Sequence, residues 1–512
     1  MPEREWREAS DMRTPSLLVI TVLVVAALLR FWNLGAGIPF AIQVDEPEIA
    51  LRAVRMMKTG DFNPHFFDYG GLYIYLQLVV ACVRFIFGAA IQGLWSSLDQ
   101  ASPDNFYAWG RGLTAMLGTA TVLIVYNIGT RWGARHALLA GGLMAVVPFH
   151  VRESHFVLTD VPLTFFTTLT MLLTLRAHES ERVSRYAWAG VAAGLAAATK
   201  YNGGLVLMLP LLSAALSKAG LVTRIQMALA SLGACVAAFL LAAPYTVLDL
   251  PTFLNQFAHL ASIFAAEPRS PEPGWLTYLK HLRLALGWPA LLLMFGGLGL
   301  GIFRAIQGPG NVRWLLAIVF PLTYFYLIAT RSQIYGRYLL PILPFACVLA
   351  ACAVVSGVSL LRRFDIPRAP RTALIVALTL AALVPPTVEA VRFCRMIGRT
   401  STQQLAYTWI MSNIPRGSRI AIEARGLLLP EPRYRVEHFP KLTLHEYQNY
   451  RDDGFEYMIA HSQSFGAAFA EPHSHAAEYA EYRRLFDQAS LLTTFEPSED
   501  HPGPELRIFK LQ

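Results

Sequence analysis

A tight group of carboxylates follows the first apolar run of the chain. Asp45, Glu46 and Glu48 lie within IQVDEPEIA, shortly after the run TPSLLVITVLVVAALLRFW. A carboxylate placed beside a reacting hydroxyl can act as a general base, and hard divalent cations also prefer oxygen ligands. The group therefore predicts acid–base chemistry at one end of the first apolar segment. The alternative interpretation is a solvated acidic loop with no part in chemistry.

Three later stretches combine acidic and cationic side chains, again at the ends of apolar runs. They are FHVRESHFVLTD with Arg152, His155 and Asp160, ATKYNGG with Lys200 and Tyr201, and YGRYLLPILP with Arg337 and Tyr338. Arginine and lysine hold phosphate through charge-assisted hydrogen bonds, while a carboxylate can take a proton. A site that mixes both at one membrane face predicts a phosphorylated lipid carrier and an acceptor hydroxyl that must be deprotonated.

Each of these residues also has an interpretation without chemistry. Asp160 opens an apolar run, where a carboxylate commonly caps a helix N-terminus. Lys200 and Arg337 stand at the ends of apolar runs, where long cationic side chains commonly reach toward the membrane surface. His150 and His155 are five positions apart, which does not favour a metal site on one helix face.

The composition indicates which elements must position these residues. Of the 512 residues, 54% are hydrophobic and 15% are charged, whereas soluble proteins carry about 25% charged residues. Apolar runs recur from Thr14 to Arg392, each close to the ~20 residues that cross a bilayer as a helix. The sequence predicts an all-α polytopic membrane protein. Its five cysteines show no metal-ligand spacing and predict no disulfide framework.

The net charge of +8 is concentrated in short loops between the apolar runs. This is the distribution of cytoplasmic loops, and no basic stripe with interleaved aromatic residues points to nucleic acid. Arg4, Arg7 and Arg13 precede the first run and place the N-terminus in the cytoplasm. The acidic group at Asp45 is therefore predicted on the outer face of a plasma (inner) membrane.

Twelve candidate spans cover most of the first three quarters of the chain. They lie near 14–34, 71–95, 107–129, 137–152, 159–176, 187–199, 203–217, 225–245, 284–303, 314–330, 338–361 and 372–392. Simple alternation would place Arg131 and Arg135 outside, so 71–95 is predicted to lie in the interface or to re-enter the membrane. An odd number of spans, 11 or 13, follows. The outer stretch LPTFLNQFAHLASIFAA is amphipathic and predicts a helix lying in the interface.

Near residue 393 the long apolar runs end, and the sequence takes on the pattern of a soluble domain. TQQLAYTWIMSNIP has the pattern of a helix, and RIAIEA, EYMIAHS and LRIFKL have the pattern of strands. We therefore predict a membrane domain over 1–392 and a small α/β domain over 393–512. With an odd span count, that second domain lies outside the cytoplasm.

Five motifs in a fixed order give the chain a resemblance to a known superfamily. They are VDEPEIALRAVRMMKTGDFNP, FDYGGLYIYL, HVRESHFVLTDVPLTFF, AGLAAATKYNGGLVLMLPLL and YGRYLLPILPF. The chain resembles the GT-C membrane glycosyltransferases, in the branch of the protein O-mannosyltransferases and lipid A aminoarabinose transferases. It departs from the second group at Asp68-Tyr69-Gly70-Gly71-Leu72, where those enzymes have a Lys-Pro-Pro stretch. That departure counts against an aminoarabinose donor and a lipid A acceptor.

The resemblance implies a function and a role for each matched residue. The implied reaction moves a sugar from a polyprenyl phosphate to a hydroxyl of a protein, glycan or lipid, at the outer face and with inversion. Asp45 is implied as the base, with Glu46 as its neighbour. The remaining matches are Asp160 as a second acidic position, and Lys200, Arg337 and Tyr338 facing the carrier phosphate. Tyr201, Arg152 and His155 complete the predicted substrate-binding residues.

Two matters stay open at the level of sequence. No cofactor is certain, and a divalent metal at the acidic residues remains an alternative. A secondary transporter or flippase of a lipid-linked or anionic substrate is the rival function. Transporters commonly show internal repeats and ionisable residues near the middle of the membrane. Here the notable charges stand at the ends of apolar runs, and no repeat is evident.

Overall fold

A computed structural model describes residues 16–38, 45–265, 272–308, 311–360, 367–423, 427, 429 and 433–511. The described residues divide into two units. The first lies within Met1–Leu34 and Glu48–Phe393, and the second within Gly35–Pro47 and Cys394–Gln512.

Helices make up almost all of the first unit, in agreement with the predicted all-α membrane fold. In chain order they are α1 (Ser16–Phe31), α2 (Glu46–Thr59), α3 (Leu72–Ile86), α4 (Asp104–Gly129), α5 (Ala134–Val146), α6 (Pro148–Glu153), α7 (Asp160–Ser180), α8 (Val183–Thr199), α9 (Met208–Ala215), α10 (Leu221–Ala242), α11 (Tyr245–Leu248), α12 (Leu250–Ala265), α13 (Gly274–Ile306), α14 (Val312–Ala329), α15 (Leu343–Leu360) and α16 (Arg368–Ile397).

Seven helical segments among the described residues are long and apolar enough to cross a membrane. They are Leu72–Ile91, Asp104–Gly129, Leu221–Ala242, Gly274–Ile306, Val312–Ala329, Gly336–Ser359 and Arg368–Asn413. Only 22% of the apolar window of Leu221–Ala242 is buried, so most of its apolar surface is available to lipid. The prediction of a multi-pass membrane protein is confirmed. The span count of 11 or 13 and the interfacial placement of 71–95 stay predictions.

Several helices are broken at the positions where the polar motifs lie. The run predicted at 137–152 is two helices, because Val147 leaves helical geometry before Pro148. Tight 3₁₀ turns over Tyr201–Leu207 and Gly336–Ile342 precede α9 and α15. A 3₁₀ turn leaves backbone and side chains in directions that a continuous α-helix would not allow. These breaks direct the flanking side chains into the bundle.

Close packing of α8 against α10 fixes one wall of this bundle. A Cβ added to Gly194 would lie 2.2 Å from the carbonyl oxygen of Cys235, so only glycine permits this approach. Small residues allow such contacts between membrane helices, where dispersion replaces the hydrophobic effect as the driving force. The run AGVAAGLAAAT supplies small residues along the whole contact. The C-terminal end of α8, and with it Lys200, is therefore held firmly.

The second unit contains a mixed sheet with helices on both faces. Its strands are β1 (Arg419–Glu423), β2 (Arg435–Phe439), β3 (Tyr457–His461), β4 (Ser490–Phe495) and β5 (Leu506–Lys510), and its helices are α17 (Thr402–Asn413), α18 (Tyr447–Asp452), α19 (Ser462–Ala470) and α20 (Ala476–Gln488). The strand order is β2-β1-β3-β5-β4. The first three strands are parallel and the last two pairings are antiparallel.

Alternation along the central strands builds two hydrophobic cores. Ile420 and Ile422 pack on one face with residues of α17, while Ala421 packs on the other face with residues of α20. Helix α17 begins with a capping box between Ser401 and Gln404, which satisfies free amides of the first turn. The predicted helix and the three predicted strands are present. Strands β2 and β4 were not predicted from the sequence; they are edge strands in which no residue is buried.

Candidate functional site

The described structure brings together three residues that are far apart in sequence. The Nζ of Lys200 lies 2.8 Å from Oδ1 of Asp160, and the Nε of Arg337 lies 3.8 Å from Oδ2 of the same carboxylate. The exposed fractions of the three side chains are 12%, 4% and 14%. A buried carboxylate is stable only when it is paired. Asp160 is paired with two cations and holds both in place.

Local structure places each of the three side chains. Asp160 is the first residue of α7, and the preceding Thr159 is the N-cap residue, without a side-chain cap. The carboxylate of Asp160 is thus engaged by Lys200, in place of the capping role that its position suggested. Lys200 follows α8 in an extended conformation, and Arg337 lies in the 3₁₀ turn before α15.

Aromatic rings surround the ammonium group of Lys200. Its Nζ is 4.4 Å from the centroid of the Tyr338 ring and 5.6 Å from that of Tyr69. The guanidinium carbon of Arg337 is 5.2 Å from the Tyr335 ring. Cations at these distances are attracted by the ring quadrupole. The arrangement keeps both cations inside the site, which differs from cationic side chains extended toward the membrane surface.

A cavity of about 350 Å³ opens beside this cluster, and its lining includes Lys200, Tyr201 and Tyr338. The remaining lining residues are Asp68, Tyr69, Asn202, Phe257, Leu260, Ala261, Phe264, Leu327, Ile328, Arg331 and Gln333. We call this space the carrier cavity. One of its walls is apolar and comes from α12, the helix predicted from its amphipathic pattern. The cavity therefore has a charged end and an apolar wall.

The loop before α3 closes the carrier cavity on another side. The hydroxyl of Tyr201 donates to the carbonyl oxygens of Phe67 and Tyr69, at 2.9 and 3.0 Å. A Cβ added to Gly70 would lie 2.0 Å from the carbonyl oxygen of Ala198. Glycine at position 70 thus allows the loop to touch the end of α8, two residues before Lys200.

Arg152 and Glu153 form a second ion pair outside the carrier cavity lining. The Nη2 of Arg152 is 2.6 Å from Oε1 of Glu153, whose side chain is 1% exposed. The guanidinium carbon of Arg152 also lies 4.8 Å from the ring centroid of Phe149. Oε2 of Glu153 is buried and has no hydrogen-bond partner among the described residues.

His155 faces backbone and not the carrier cavity. Its Nδ1 is 2.8 Å from the carbonyl oxygen of Val151, and its Nε2 is 2.8 Å from that of Trp32. The side chain is 1% exposed. These contacts join α1 to the segment before α7. The substrate-binding role implied for His155 and Arg152 therefore stays a prediction without a contact to the cavity.

Asp45 and Glu46 belong to the second unit of the chain. Asp45 is the turn residue directly before α2, and Glu46, the first residue of α2, is fully buried. Their implied roles as base and neighbour stay predictions. Among the residues that the structure describes, no three His, Cys, Asp or Glu side chains gather so that they could hold a metal ion.

Several residues of the carrier cavity were not predicted as site residues. Asp68 and Gln333 line it, as do the rings of Phe257 and Phe264. The signal for the two phenylalanines was the amphipathic pattern of α12, which indicated an interfacial helix but not what it covers. Asp68 stood within the motif FDYGGLYIYL, so its place in the family pattern could have identified it.

Comparisons with known proteins support the membrane fold. Residues 18–260 match the family model of the dolichyl-phosphate-mannose-protein mannosyltransferases. A sequence search of curated proteins finds no significant match.

Two solved structures share the architecture over most of the chain. ArnT from Cupriavidus metallidurans bound to undecaprenyl phosphate has a TM-score of 0.57 at 15% identity, covering 96% of this chain and 97% of that one. The oligosaccharyltransferase AglB from Archaeoglobus fulgidus, in complex with an inhibitory peptide and a dolichol-phosphate, has a TM-score of 0.55 at 13% identity. That match covers 93% of this chain and 73% of the other. At these identities the likeness establishes the fold. That fold is the one of the GT-C membrane glycosyltransferases, and residues 18–260 are similar to the dolichyl-phosphate-mannose-protein mannosyltransferases.

Proposed function

We propose that this protein transfers a sugar from a polyprenyl-phosphate carrier to a hydroxyl acceptor at the outer membrane face, with inversion at the anomeric carbon. The observation that carries the proposal is the carrier cavity, where Lys200 lies at one end and the apolar face of α12 forms a wall. An amphiphile with a phosphate head and an isoprenoid tail matches both parts. The relatives bound to undecaprenyl phosphate and dolichol-phosphate support this class of donor.

The cations are proposed to bind and activate the leaving group. Negative charge grows on the phosphate oxygen as the glycosidic bond breaks, and fixed positive groups lower the energy of that state. Lys200 and Arg331 line the cavity, and Arg337 stands beside Lys200 on the other oxygen of Asp160. Asp160 is proposed to orient Lys200 and Arg337, so that they meet the phosphate without reorganisation.

The acceptor hydroxyl needs a base on the face of the sugar opposite the phosphate. We assign this role to Asp45 and a supporting role to Glu46, on the basis of the family resemblance. In the proposed step the acceptor oxygen forms a bond to the anomeric carbon while the bond to the phosphate oxygen breaks. The acceptor proton goes to the carboxylate, and the polyprenyl phosphate leaves. A single displacement predicts inversion and no covalent intermediate.

The test uses full-length protein reconstituted in lipid with a synthetic polyprenyl-phosphate sugar and no ion gradient. The proposal predicts transfer, or slow hydrolysis when the acceptor is absent, and a product of inverted configuration by NMR. Movement of the intact lipid-linked sugar across the bilayer without cleavage would instead establish the transporter alternative. Neither the family match nor the fold supports that alternative. Mass spectrometry of glycans from a strain lacking the protein would then identify the sugar and the acceptor.

A further inference from the structure

A second charged cavity lies at the opposite end of the helices that carry Asp160 and Lys200. Helix α7 starts at Asp160 and runs to Ser180, while α8 returns from Val183 toward Lys200. At 1.5 Å per residue, α7 spans about 30 Å, the thickness of a bilayer core. Residues near Ser180 and Val183 are therefore separated from Asp160 and Lys200 by about the thickness of a bilayer core.

This cavity, the arginine groove, has a volume of about 490 Å³ and is lined by Arg131, Leu173, Arg176, Glu179, Arg185 and Trp188. Three guanidinium groups face one carboxylate. Glu179 pairs with Arg131 at 2.5 Å, and Nη1 of Arg185 donates to the carbonyl oxygen of Arg176 at 3.3 Å. No carboxylate among the described lining residues pairs with Arg176 or Arg185. The groove therefore carries an excess of positive charge.

Its surroundings distinguish a lipid from a soluble anion. Trp188 lies on α8, next to the arginines, and its side chain is 64% exposed. Tryptophan is enriched at the boundary between headgroups and hydrocarbon, and Leu173 adds apolar surface to the same groove. A soluble phosphate would use the guanidinium groups alone. A phospholipid would use the guanidinium groups for its phosphate and the apolar residues for the start of its acyl chains.

We propose that the arginine groove binds the headgroup of an anionic phospholipid from the facing leaflet. Planar guanidinium groups bind phosphate with two parallel hydrogen bonds, and basic pockets between membrane helices suit anionic headgroups. The bound lipid joins the ends of α7 and α8 to the loop that carries Arg131. This site is independent of sugar transfer and of the acidic residues proposed for catalysis.

The experiment measures lipid binding to purified, delipidated full-length protein by native mass spectrometry. Phosphatidylglycerol is compared with phosphatidylcholine of the same acyl chains, on the wild type and on Arg176→Gln and Arg185→Gln. We expect phosphatidylglycerol to bind more tightly than phosphatidylcholine to the wild type, and about fivefold more weakly to each variant than to the wild type. Arg182→Gln is the matched control, because Arg182 is exposed on the same turn and does not line the groove. It should bind phosphatidylglycerol as the wild type does.

A second measurement separates the lipid from its phosphate. Phosphatidylglycerol should raise the thermal unfolding temperature of the wild type and of Arg182→Gln more than that of Arg176→Gln. Trp188→Leu should retain binding, whereas Trp188→Ser should weaken it, because the first keeps an apolar side chain at the membrane boundary. Equal binding of phosphatidylcholine, equal binding by the arginine variants, or full stabilisation by inorganic phosphate alone would each overturn the proposal.

Discussion

The ammonium of Lys200 is held between a carboxylate and two tyrosine rings, and this setting decides what its removal should do. Lys200→Ala takes one cation from the proposed phosphate site, and Arg337→Ala takes another. Hydrogen bonds to charged groups contribute about 1.5–3 kcal/mol, so we expect KM for the lipid donor to rise roughly 10- to 100-fold. Lys218→Ala is the control, because Lys218 is exposed and lies outside the carrier cavity. Wild-type donor kinetics in both variants would show that Lys200 and Arg337 do not bind the carrier phosphate.

Asp160 gives a prediction about stability as well as activity. Asp160→Asn leaves Lys200 and Arg337 without their shared carboxylate in a site that is almost closed to solvent. Removing one partner of a buried ion pair costs about 3–5 kcal/mol, so thermal unfolding should occur at a clearly lower temperature and transfer should fall. Adding Lys200→Met to Asp160→Asn should recover part of the stability but none of the transfer. Recovery of transfer in the double variant would remove Lys200 from the proposed mechanism.

Sequence reasoning at this scale identified the residues but not their partners. Asp160, Lys200, Arg337 and Tyr338 could be chosen because charged and polar residues at the ends of apolar runs are few and conspicuous. Their convergence on one carboxylate depends on how α7, α8 and the turn before α15 pack, which spacing alone does not specify. For the same reason, the contact of His155 with the carbonyl oxygen of Trp32 could not be predicted.

Gly70 controls how the loop before α3 meets α8. Gly70→Ala would place a Cβ against the backbone of Ala198, and backbone cannot give way as a flexible side chain can. Overpacking of this kind costs about 1–3 kcal/mol. We expect the loop to move away from Lys200, with transfer reduced more than unfolding temperature. Gly112→Ala, where the added Cβ meets nothing within 4 Å, should behave as the wild type. Equal activity in the two variants would show that the loop does not shape the site.

Elements were predictable where hydrophobic pattern decides them. Long apolar runs gave the membrane helices, and alternation gave the central strands of the small sheet. The edge strands β2 and β4 lack that signal, because no residue of RVEHF or SLLTTF is buried. The 3₁₀ turns at Tyr201–Leu207 and Gly336–Ile342 also carry no strong local signature, since tertiary packing sets them.

At the scale of the whole molecule, the small α/β unit should respond to pH through His461. This residue ends β3 and is 1% exposed, and burial lowers its pKa to about 4. An unfolded histidine titrates near 6.5. The folded-state pKa is depressed, so the unfolded state binds the proton more readily. The contribution of His461 to the free energy of unfolding is complete above pH 6.5. It is lost as the pH falls toward 4, and the total loss is about 3 kcal/mol.

The measurement is amide exchange of Tyr457–His461 in the full-length protein, corrected for intrinsic rates, between pH 4 and 7. In the wild type, the backbone N–H of Gln463 donates to Nδ1 of His461. His461→Asn should flatten the pH dependence of exchange, and its amide oxygen can still accept that hydrogen bond. Burial raises the pKa of the neighbouring Glu423. This shift increases stability as the pH falls, in the wild type and in His461→Asn alike. The difference between the two profiles therefore isolates the histidine. Identical profiles would contradict the assignment.

Membrane orientation is a second prediction for the whole chain. The basic loops predict an odd span count, so residues 393–512 should lie outside the cytoplasm. A C-terminal fusion to a reporter that works only in the periplasm should be active, and a reporter that works only in the cytoplasm should be silent. An active cytoplasmic reporter and a silent periplasmic reporter would contradict the odd number of membrane spans. The sequence predicted the division near residue 393 from a change of texture, but it gave no sign that Gly35–Pro47 groups with the second unit.

The central claim is that Asp45 accepts the proton of the acceptor hydroxyl, and Asp45→Asn tests it most directly. The amide keeps the size and polarity of the side chain but cannot take a proton. The measurement is single-turnover transfer from a synthetic polyprenyl-phosphate sugar, with unfolding temperature and donor binding determined on the same preparation. We predict a loss of about 10²- to 10⁴-fold in the transfer rate, with folding and donor binding unchanged, and a smaller loss for Glu46→Gln. Near-normal transfer by Asp45→Asn would contradict the account and leave Asp45 with no part in the chemistry.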